Sequence, residues 1–239
     1  MHEARCRVCK RTVTPDGPEP GRRRFVKGLA LMTAAAGTGC GRDPSTDITL
    51  QDVARIDRTR VAAIVGPRSP VDISRSLERS HGPVSIGGAY FSMGGQVAEP
   101  ASMHLDMRGM NRLVHLDTER RVARVQAGMR WRELQEWLDP HDLAVKVMQS
   151  YSNFSIGGSV SVNCHGRYVG RGAQVHTIRA LQVATADGEL IEVSRDVRPQ
   201  LFAAVAGGYG GAGVITEVEL DLDQNARIER RVAQVAMTD

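Results

Sequence analysis

Aromatic residues and cysteines are scarce in this chain of 239 residues. Phe, Trp and Tyr together make up 4% of the sequence, and four cysteines are present. Cys6 and Cys9 form a Cys-x-x-Cys pair, but no second pair or Cys/His set lies near enough in the sequence to complete four ligands. We therefore predict no zinc knuckle, no other metal site and no disulfide framework.

The main part of the chain has no excess of basic over acidic residues, although the whole chain has a net charge of +4. Residues 1–27 hold eight Lys/Arg against three Asp/Glu, which leaves 23 basic and 24 acidic groups in the remainder. A nucleic-acid-binding domain carries its basic residues on the folded part. The sequence therefore predicts no nucleic-acid partner.

Long hydrophobic runs are also missing, and the weakly apolar stretch 29–36 is far too short to span a bilayer. The basic letters "RRRFVK" precede it, and this order is typical of an export signal. The pattern resembles a twin-arginine signal, so we expect residues 1–40 to engage the export machinery and the protein to be periplasmic or extracellular. A disordered basic tail is the alternative. Lipid anchoring at Cys40 is a weaker expectation, because Gly37 stands where such signals have a Leu-like residue.

Two blocks of secondary structure are predicted after a polar linker at 41–49. The first block contains a buried strand at 61–65, a helix at 71–80 with Pro70 near its first position, and a strand at 84–86. This order predicts a β-α-β unit that is followed directly by a glycine-rich segment.

The second block starts near residue 101 and is richer in strands than in helices. Trp131, Leu134, Trp137 and Leu138 recur at helical spacing, which predicts a helix with both tryptophans in the core. A short helix is predicted at 199–205. The expected strands recur about every ten residues, at 103–106, 114–117, 122–126, 144–148, 178–184, 190–193 and 214–222. This pattern predicts an α+β fold with largely antiparallel pairing in the second block.

Three glycine-rich segments adjoin these strands: the first at 87–95, the second at 155–159 and the third at 207–213. A diphosphate needs several converging N–H donors, and glycine and serine leave backbone amides accessible. The Gly-x-Gly-x-x-Gly dinucleotide fingerprint and the Gly-Lys-Ser/Thr phosphate loop are both missing here. Three such segments in one domain indicate a long cofactor that lies between two halves.

Four co-linear stretches carry a resemblance to a known family: "VSIGGAYFSMGGQ", "VARVQAGMRWRELQEWL", "MQSYSNFSIGGSVSVNCHG" and "GGYGGAGVITEVELDL". They are similar to the PCMH-type FAD-binding domain of the vanillyl-alcohol-oxidase, or FAD-linked oxidase, superfamily, nearest its sugar-lactone oxidase-like branch. The resemblance covers about residues 48–222, and we place the domain at 50–225. It implies a two-subdomain fold, with a small β-α-β subdomain and a larger, mostly antiparallel sheet with flanking helices.

The resemblance also implies which residues contact FAD. The first segment would wrap the pyrophosphate, the second would approach the flavin and ribityl chain, and the third would set backbone groups against the adenine or the ring edge. The expected contacts are Ile86, Gly87, Gly88, Ala89, Tyr90, Phe91, Ser92, Ser155, Gly157, Gly158, Ser159, Ser161, Asn163, His165, Gly213, Val214 and Ile215.

The chain departs from relatives that bind flavin covalently. Phe91 occupies the position of their flavin-linking histidine, Tyr90 beside it is no established substitute, and Cys164 lies several residues beyond the position of their linking cysteine. We therefore expect non-covalent FAD. His165 is the candidate catalytic residue, because an imidazole near neutrality exchanges protons readily; a structural role is its alternative. His104 and the other histidines are expected to be structural or exposed.

Relatives carry a substrate cap after this domain, whereas only a tail at 226–239 follows here. We expect the FAD-binding portion of an exported oxidoreductase that oxidises an alcohol, sugar lactone or hydroxy acid, truncated before its cap. Its partners would be FAD, a small-molecule substrate and an electron acceptor. The alternative is a non-catalytic flavin-binding subunit that works with a cap-bearing partner chain. A third interpretation, an FAD-dependent reductase of cell-wall precursor synthesis with a related fold, is disfavoured by the export signal. A fourth, a cofactor-free remnant, is disfavoured by the intact glycine segments.

Overall fold

The computed structural model describes residues 48–229 and 231–233. The predictions for the leader at 1–40, including Cys6, Cys9 and Cys40, and for linker residues 41–47 lie outside the described residues. So do those for tail residues 230 and 234–239. Within the described ranges, no helix has both the length and the apolar character needed to cross a membrane.

A small sheet and a hairpin-like pair form the N-terminal part of the described chain. Strands β1 (Ile48–Leu50) and β2 (Thr59–Val61) pair antiparallel. Strands β3 (Ala63–Val65), β4 (Val84–Gly87) and β5 (Met103–Asp106) form a parallel sheet in the order β3-β5-β4. The central strand β5 therefore belongs to the small sheet, although the sequence placed it in the second block.

The prediction of one buried strand at 61–65 was wrong. The chain changes partner at Ala62, so that Val61 pairs with β1 and Ala63 begins the strand that pairs with β5. Val61 is buried, but Ile64 is 42% exposed. The partial exposure of Ile64 follows from the position of β3 at the sheet edge, where it has a neighbour on only one side.

Helix α1 (Pro70–Glu78) links β3 to β4, and its start is specified locally. Ser69 accepts a hydrogen bond from the Asp72 amide, and the Asp72 carboxylate accepts one from the Ser69 amide. This reciprocal capping box and Pro70 in the first turn fix the first residue of the helix. Ile73 and Leu77 form its buried face.

A six-stranded antiparallel sheet forms the larger part. Its strands follow the order β10-β9-β11-β7-β6, and β8 pairs with the far end of β11. The central strand β11 is the longest. The strands are β6 (Leu113–Asp117), β7 (Val122–Gln126), β8 (Leu143–Val145), β9 (Ile178–Ala184), β10 (Leu190–Ser194) and β11 (Val214–Gln224). The antiparallel pairing predicted for this part is confirmed.

Three further helices cover this sheet: α2 (Trp131–Leu138), α3 (Ile156–Ser161) and α4 (Pro199–Val205). In α2, Trp131 is fully buried whereas Trp137 is 56% exposed, so the prediction of two core tryptophans was wrong for Trp137. Trp131, Leu134 and Leu138 share the inward face, and Trp137 lies off that stripe. Helix α3 was not predicted, because its Ile-Gly-Gly-Ser sequence has weak helix propensity.

The core lies between the large sheet and these helices, and it is almost entirely aliphatic. Leu181, Val183, Val218 and Leu220 of the central strands are each at most 1% exposed. The two sheets, one parallel and one antiparallel, confirm the predicted α+β fold class with a small and a large part.

Candidate functional site

A cavity of about 590 Å³ lies where the three glycine-rich segments meet, which is within the usual size range of small-molecule sites. The first segment follows β4, the second includes the first residues of α3 and the third precedes β11. Thirteen of the predicted site residues line it: Ile86, Gly88, Ala89, Tyr90, Phe91, Ser92, Ser155, Gly157, Gly158, Ser159, Ser161, Gly213 and Ile215.

Four predicted residues are not in the cavity wall. Gly87 packs against the His104 and Tyr90 side chains, and the Asn163 side chain accepts a hydrogen bond from the Val175 amide. Val214 is buried in the core. His165 is exposed, and its Nδ1 lies 3.2 Å from the Gly166 carbonyl oxygen. The structure therefore does not bring His165 together with the cavity residues.

The first segment contains a run of backbone N–H groups that belong to cavity-lining residues. Among the described residues, none accepts a hydrogen bond from the N–H groups of residues 88–92. Tyr90 in the middle of this run has a positive φ of 61°. Successive N–H groups around a left-handed residue form a concavity that binds anions.

The second segment differs from the predicted loop of bare amides. It forms helix α3, and its Ile156 and Gly157 amides donate to the carbonyls of Met129 and Ala127 at 2.8 and 2.7 Å. A Cβ at Gly157 would lie 2.6 Å from the Ala127 Cβ. Glycine is therefore needed here for close helix–strand packing. The interpretation that this segment offers bare amides to a ligand was wrong for these two groups.

Three aromatic side chains meet at the cavity. Phe91, Tyr151 and Phe154 contact each other edge to face, with ring centroids 5.1 to 5.5 Å apart. Phe91 and Phe154 line the cavity, and Tyr151 is 48% exposed. Edge-to-face contacts of this kind favour the mutual orientation of the rings. Phe91 is thus part of an apolar wall.

A series of hydrogen-bonded polar side chains fixes the position of the Tyr90 hydroxyl. Ser102 Oγ donates to the Glu99 carbonyl at 2.7 Å, so its neighbour Ser85 Oγ must donate to Ser102, also at 2.7 Å. Ser85 Oγ then accepts from His104 Nδ1 at 2.8 Å, which leaves His104 Nε2 as the acceptor for the Tyr90 hydroxyl at 2.8 Å. These donor and acceptor requirements assign the neutral His104 tautomer.

The ionisation of these side chains is shifted by their surroundings. Burial lowers the pKa of His104, which is fully buried, and burial raises the pKa of Tyr90 to about 12. The guanidinium of Arg108 lies 4.8 Å from the Tyr90 ring centre and pairs with Asp106. The expectation of a structural or exposed His104 missed that this residue orients a cavity side chain.

Sequence reasoning also missed Gln149, Met107 and Ala127, which line the cavity. No signal in the sequence singled them out, because each is brought in by tertiary packing. A second hollow of about 370 Å³ shares Ile86, Gly94, Gln96, Tyr209 and Gly210 with the first. The two hollows are therefore neighbours along one wall.

Charged side chains are missing from the part of the cavity wall that the structure describes. Its polar side chains are serines, glutamines and tyrosines. The described residues also contain no group of three or more His, Cys, Asp or Glu side chains arranged to hold a metal ion. The wall therefore offers hydrogen bonds and apolar surface, with backbone N–H groups as the donors for an anion.

The comparisons agree with this geometry. A family model described as "FAD binding domain" matches residues 61–194, more than half of the chain. Cytokinin dehydrogenase 2 of Oryza sativa subsp. japonica is 28% identical over 82% of the chain and 37% of the relative. Alditol oxidase of a Streptomyces species is 28% identical over 66% of the chain and 38% of the relative. Bovine L-gulonolactone oxidase is 31% identical over 48% of the chain and 26% of the relative. The chain therefore spans well under half the length of these relatives.

Proposed function

The chain belongs to the FAD-binding domain family, and from this premise we propose that it is the FAD-binding portion of an exported flavin-dependent oxidoreductase. The reaction proposed is oxidation of an alcohol, sugar lactone or hydroxy acid, in which bound FAD supplies a hydride acceptor at N5 and the protein sets orientation and access. The relatives' printed names, which include dehydrogenases and oxidases, support this reaction class.

The observation that carries the proposal is the run of free N–H groups at residues 88–92. A diphosphate is the part of FAD that needs such donors, since no charged side chain in the described cavity wall would otherwise balance it. The neighbouring second hollow gives the site an extended shape, which suits a long dinucleotide. The residues present therefore fit FAD.

Non-covalent attachment is proposed on the chemistry of the candidate nucleophiles. Phe91 has no nucleophilic atom and lies in the aromatic cluster. The Tyr90 hydroxyl donates to His104, and burial raises its pKa to about 12. Cys164 is buried, and burial raises the pKa of its thiol to about 11, which keeps it protonated at neutral pH. None of these three groups is therefore an activated nucleophile.

A second candidate function is a flavin-binding subunit that works with a cap-bearing partner chain. The observation that favours it is the lack of any carboxylate, imidazole or amine in the described part of the cavity wall. Oxidation of an alcohol also requires a proton acceptor. In both functions that group would come from residues beyond this domain, either on the same protein or on a partner.

Export through the leader is proposed from its basic and apolar pattern. Replacing Arg22 and Arg23 together by Lys is expected to retain the protein in the cytoplasm, and cell fractionation would measure this. If the variant and the parent were divided equally between the cytoplasmic and exported fractions, the export proposal would be contradicted, whereas the FAD proposal would be unaffected.

The experiment that tests the FAD proposal is a visible absorption spectrum of the purified chain after incubation with FAD and removal of unbound FAD by gel filtration, repeated on the supernatant after acid precipitation. Flavin bands that move into the supernatant are expected. Bands that stay with the precipitate would contradict non-covalent attachment. Absence of bands before precipitation, at any FAD concentration, would overturn the proposed function.

A further inference from the structure

Gln149 lies in the cavity wall and is anchored from below by two buried groups. The indole Nε1 of Trp131 donates to Ser159 Oγ at 2.9 Å and to Gln149 Oε1 at 3.2 Å. Ser159 Oγ lies 2.7 Å from the same Gln149 oxygen. Trp131 and Ser159 are each at most 1% exposed. The anchor is therefore shielded from solvent.

The anchor fixes which way the Gln149 amide faces. An indole nitrogen is a donor only, so the amide atom that accepts from Trp131 at 3.2 Å is the oxygen. The Ser159 hydroxyl, which accepts from the same indole, has the Ser155 carbonyl oxygen at 2.8 Å and Gln149 Oε1 at 2.7 Å as its acceptors. The amide nitrogen is consequently directed away from Trp131 and Ser159. Among the described residues it has no hydrogen-bond partner, and it is not among their buried unpaired atoms. Since Gln149 lines the cavity, its N–H₂ group is an oriented donor that is open to a ligand.

The surroundings indicate what kind of acceptor this donor meets. The first segment supplies the run of backbone N–H groups for an anion, whereas the same cavity wall also contains Gln149 and the apolar side chains of Ala127, Phe154 and Ile215. Gly157, which packs on Ala127, and Ser159, which bonds Gln149, both belong to α3. Apart from serine hydroxyls, this wall combines apolar side chains with one oriented amide donor, which suits a flat, uncharged ring bearing carbonyl oxygens or ring nitrogens.

We propose that Gln149 is a positioning residue that donates a hydrogen bond to an acceptor atom of the flavin ring system, with its amide held in place by Trp131 and Ser159. The inference rests on the proposed function. It predicts that Gln149 affects both FAD affinity and the reduction potential of the bound flavin. Reduction increases negative charge on the ring, so a donor at a ring acceptor favours the reduced form.

Two substitutions separate the donor from the anchor. Q149E keeps an acceptor for Trp131 and Ser159 but replaces the amide donor by a carboxylate oxygen, and Q149M removes both functions at similar volume. Gln200 is exposed on α4, and its side chain has no hydrogen bond among the described residues, so Q200E is the control for the added charge. FAD dissociation constants, midpoint potentials and apoprotein melting temperatures are measured for all three variants and the parent chain.

We expect Q149M to weaken FAD binding by about tenfold, the size of one lost hydrogen bond. Q149E is expected to weaken it at least as much and to lower the potential of any bound flavin, while Q200E matches the parent. The Q149E apoprotein should melt with the parent.

Failure of the parent to bind FAD would overturn the proposed function itself. A parent that binds FAD, with both Gln149 variants within twofold of it and unchanged in potential, would overturn only the role of Gln149. A Q149E apoprotein that melts well below the parent would assign Gln149 a structural role and would likewise overturn the inference.

Discussion

The two sheets bury their central strands by different means. In the large sheet, β9 and β11 place Leu181, Val183 and Leu220 in an aliphatic core. In the small sheet, the central strand β5 places His104 at 0% exposure, and a chain of hydrogen bonds satisfies the imidazole. Apolar packing stabilises without a preferred direction, whereas hydrogen bonds have direction. The large sheet therefore provides stability, and the small sheet fixes the orientation of Tyr90 in the cavity.

The largest expected effect comes from the interior of the large sheet. Leu181→Ala removes a fully buried side chain and should lower the free energy of unfolding by about 3 kcal/mol, measured by urea denaturation. FAD affinity at a temperature where the variant is folded should stay near that of the parent. Val71→Ala, at a position 46% exposed, is the control and should change stability by at most about 0.5 kcal/mol. A large loss of FAD affinity in folded Leu181→Ala would contradict the claim that the large sheet provides stability while the small sheet orients the site.

The next effect tests the small sheet. His104→Leu leaves the Tyr90 hydroxyl without its acceptor and Ser85 without its donor, and should cost about 2 kcal/mol in the free energy of unfolding. FAD binding should weaken severalfold as well, because Tyr90 loses its fixed orientation. His104→Gln retains an amide in place of the imidazole and should recover part of both losses. Unchanged FAD affinity in His104→Leu would show that this chain of hydrogen bonds does not orient the site.

A smaller effect is expected on the outer face of the large sheet. Arg124 of β7 pairs with Glu192 of β10 at 2.6 Å and with Glu217 of β11 at 2.7 Å, and its side chain is 20% exposed. Arg124→Met should cost about 1 kcal/mol at low salt and slightly less at high salt, because salt screens partly buried ion pairs less than exposed ones. Arg120→Met, whose parent side chain is 81% exposed, serves as the control. A salt-independent loss would mean that packing of the arginine stem dominates over charge.

The smallest expected effect is a pH dependence of stability. Burial lowers the pKa of His104 below its ordinary value of 6.5, with Asp106 opposing and Arg108 reinforcing the shift. Below pH 6.5 the unfolded chain therefore binds a proton that the folded chain does not, and the free energy of unfolding falls as the pH falls. The groups around the imidazole are Ser85, Tyr90, Asp106 and Arg108.

The measurement compares urea unfolding of the parent and His104→Gln between pH 7.5 and 5.5. The other six histidines are common to both proteins, so the difference isolates His104. The parent should lose more stability than the variant. Parallel curves would mean that the imidazole titrates alike in the folded and unfolded states.

Local signals predicted most of the elements well. Strands β7 and β9 and helix α4 have the bounds that the sequence predicted, because period-two alternation and Pro199 at a helix start are local features. Pro70 and the residues around it likewise marked α1. The structure of the misassigned residues depends on tertiary contacts. The run 61–65 changes its strand partner partway along. Trp137 lies on the outer face of a helix whose orientation is set by packing.

For the candidate site, too, some features follow from the sequence and others from the tertiary structure. The sequence by itself determined the three glycine-rich segments, the absence of the common nucleotide motifs and, through its resemblance, an FAD-binding fold. Only the tertiary structure decided that the N–H groups of residues 88–92 are free while those of Ile156 and Gly157 are bonded, and that His165 lies outside the cavity. It also placed Gln149 in the cavity wall and His104 within hydrogen-bond distance of the Tyr90 hydroxyl. Composition and spacing depend on the chain alone, but whether a donor is free depends on which distant carbonyl or side chain packs against it.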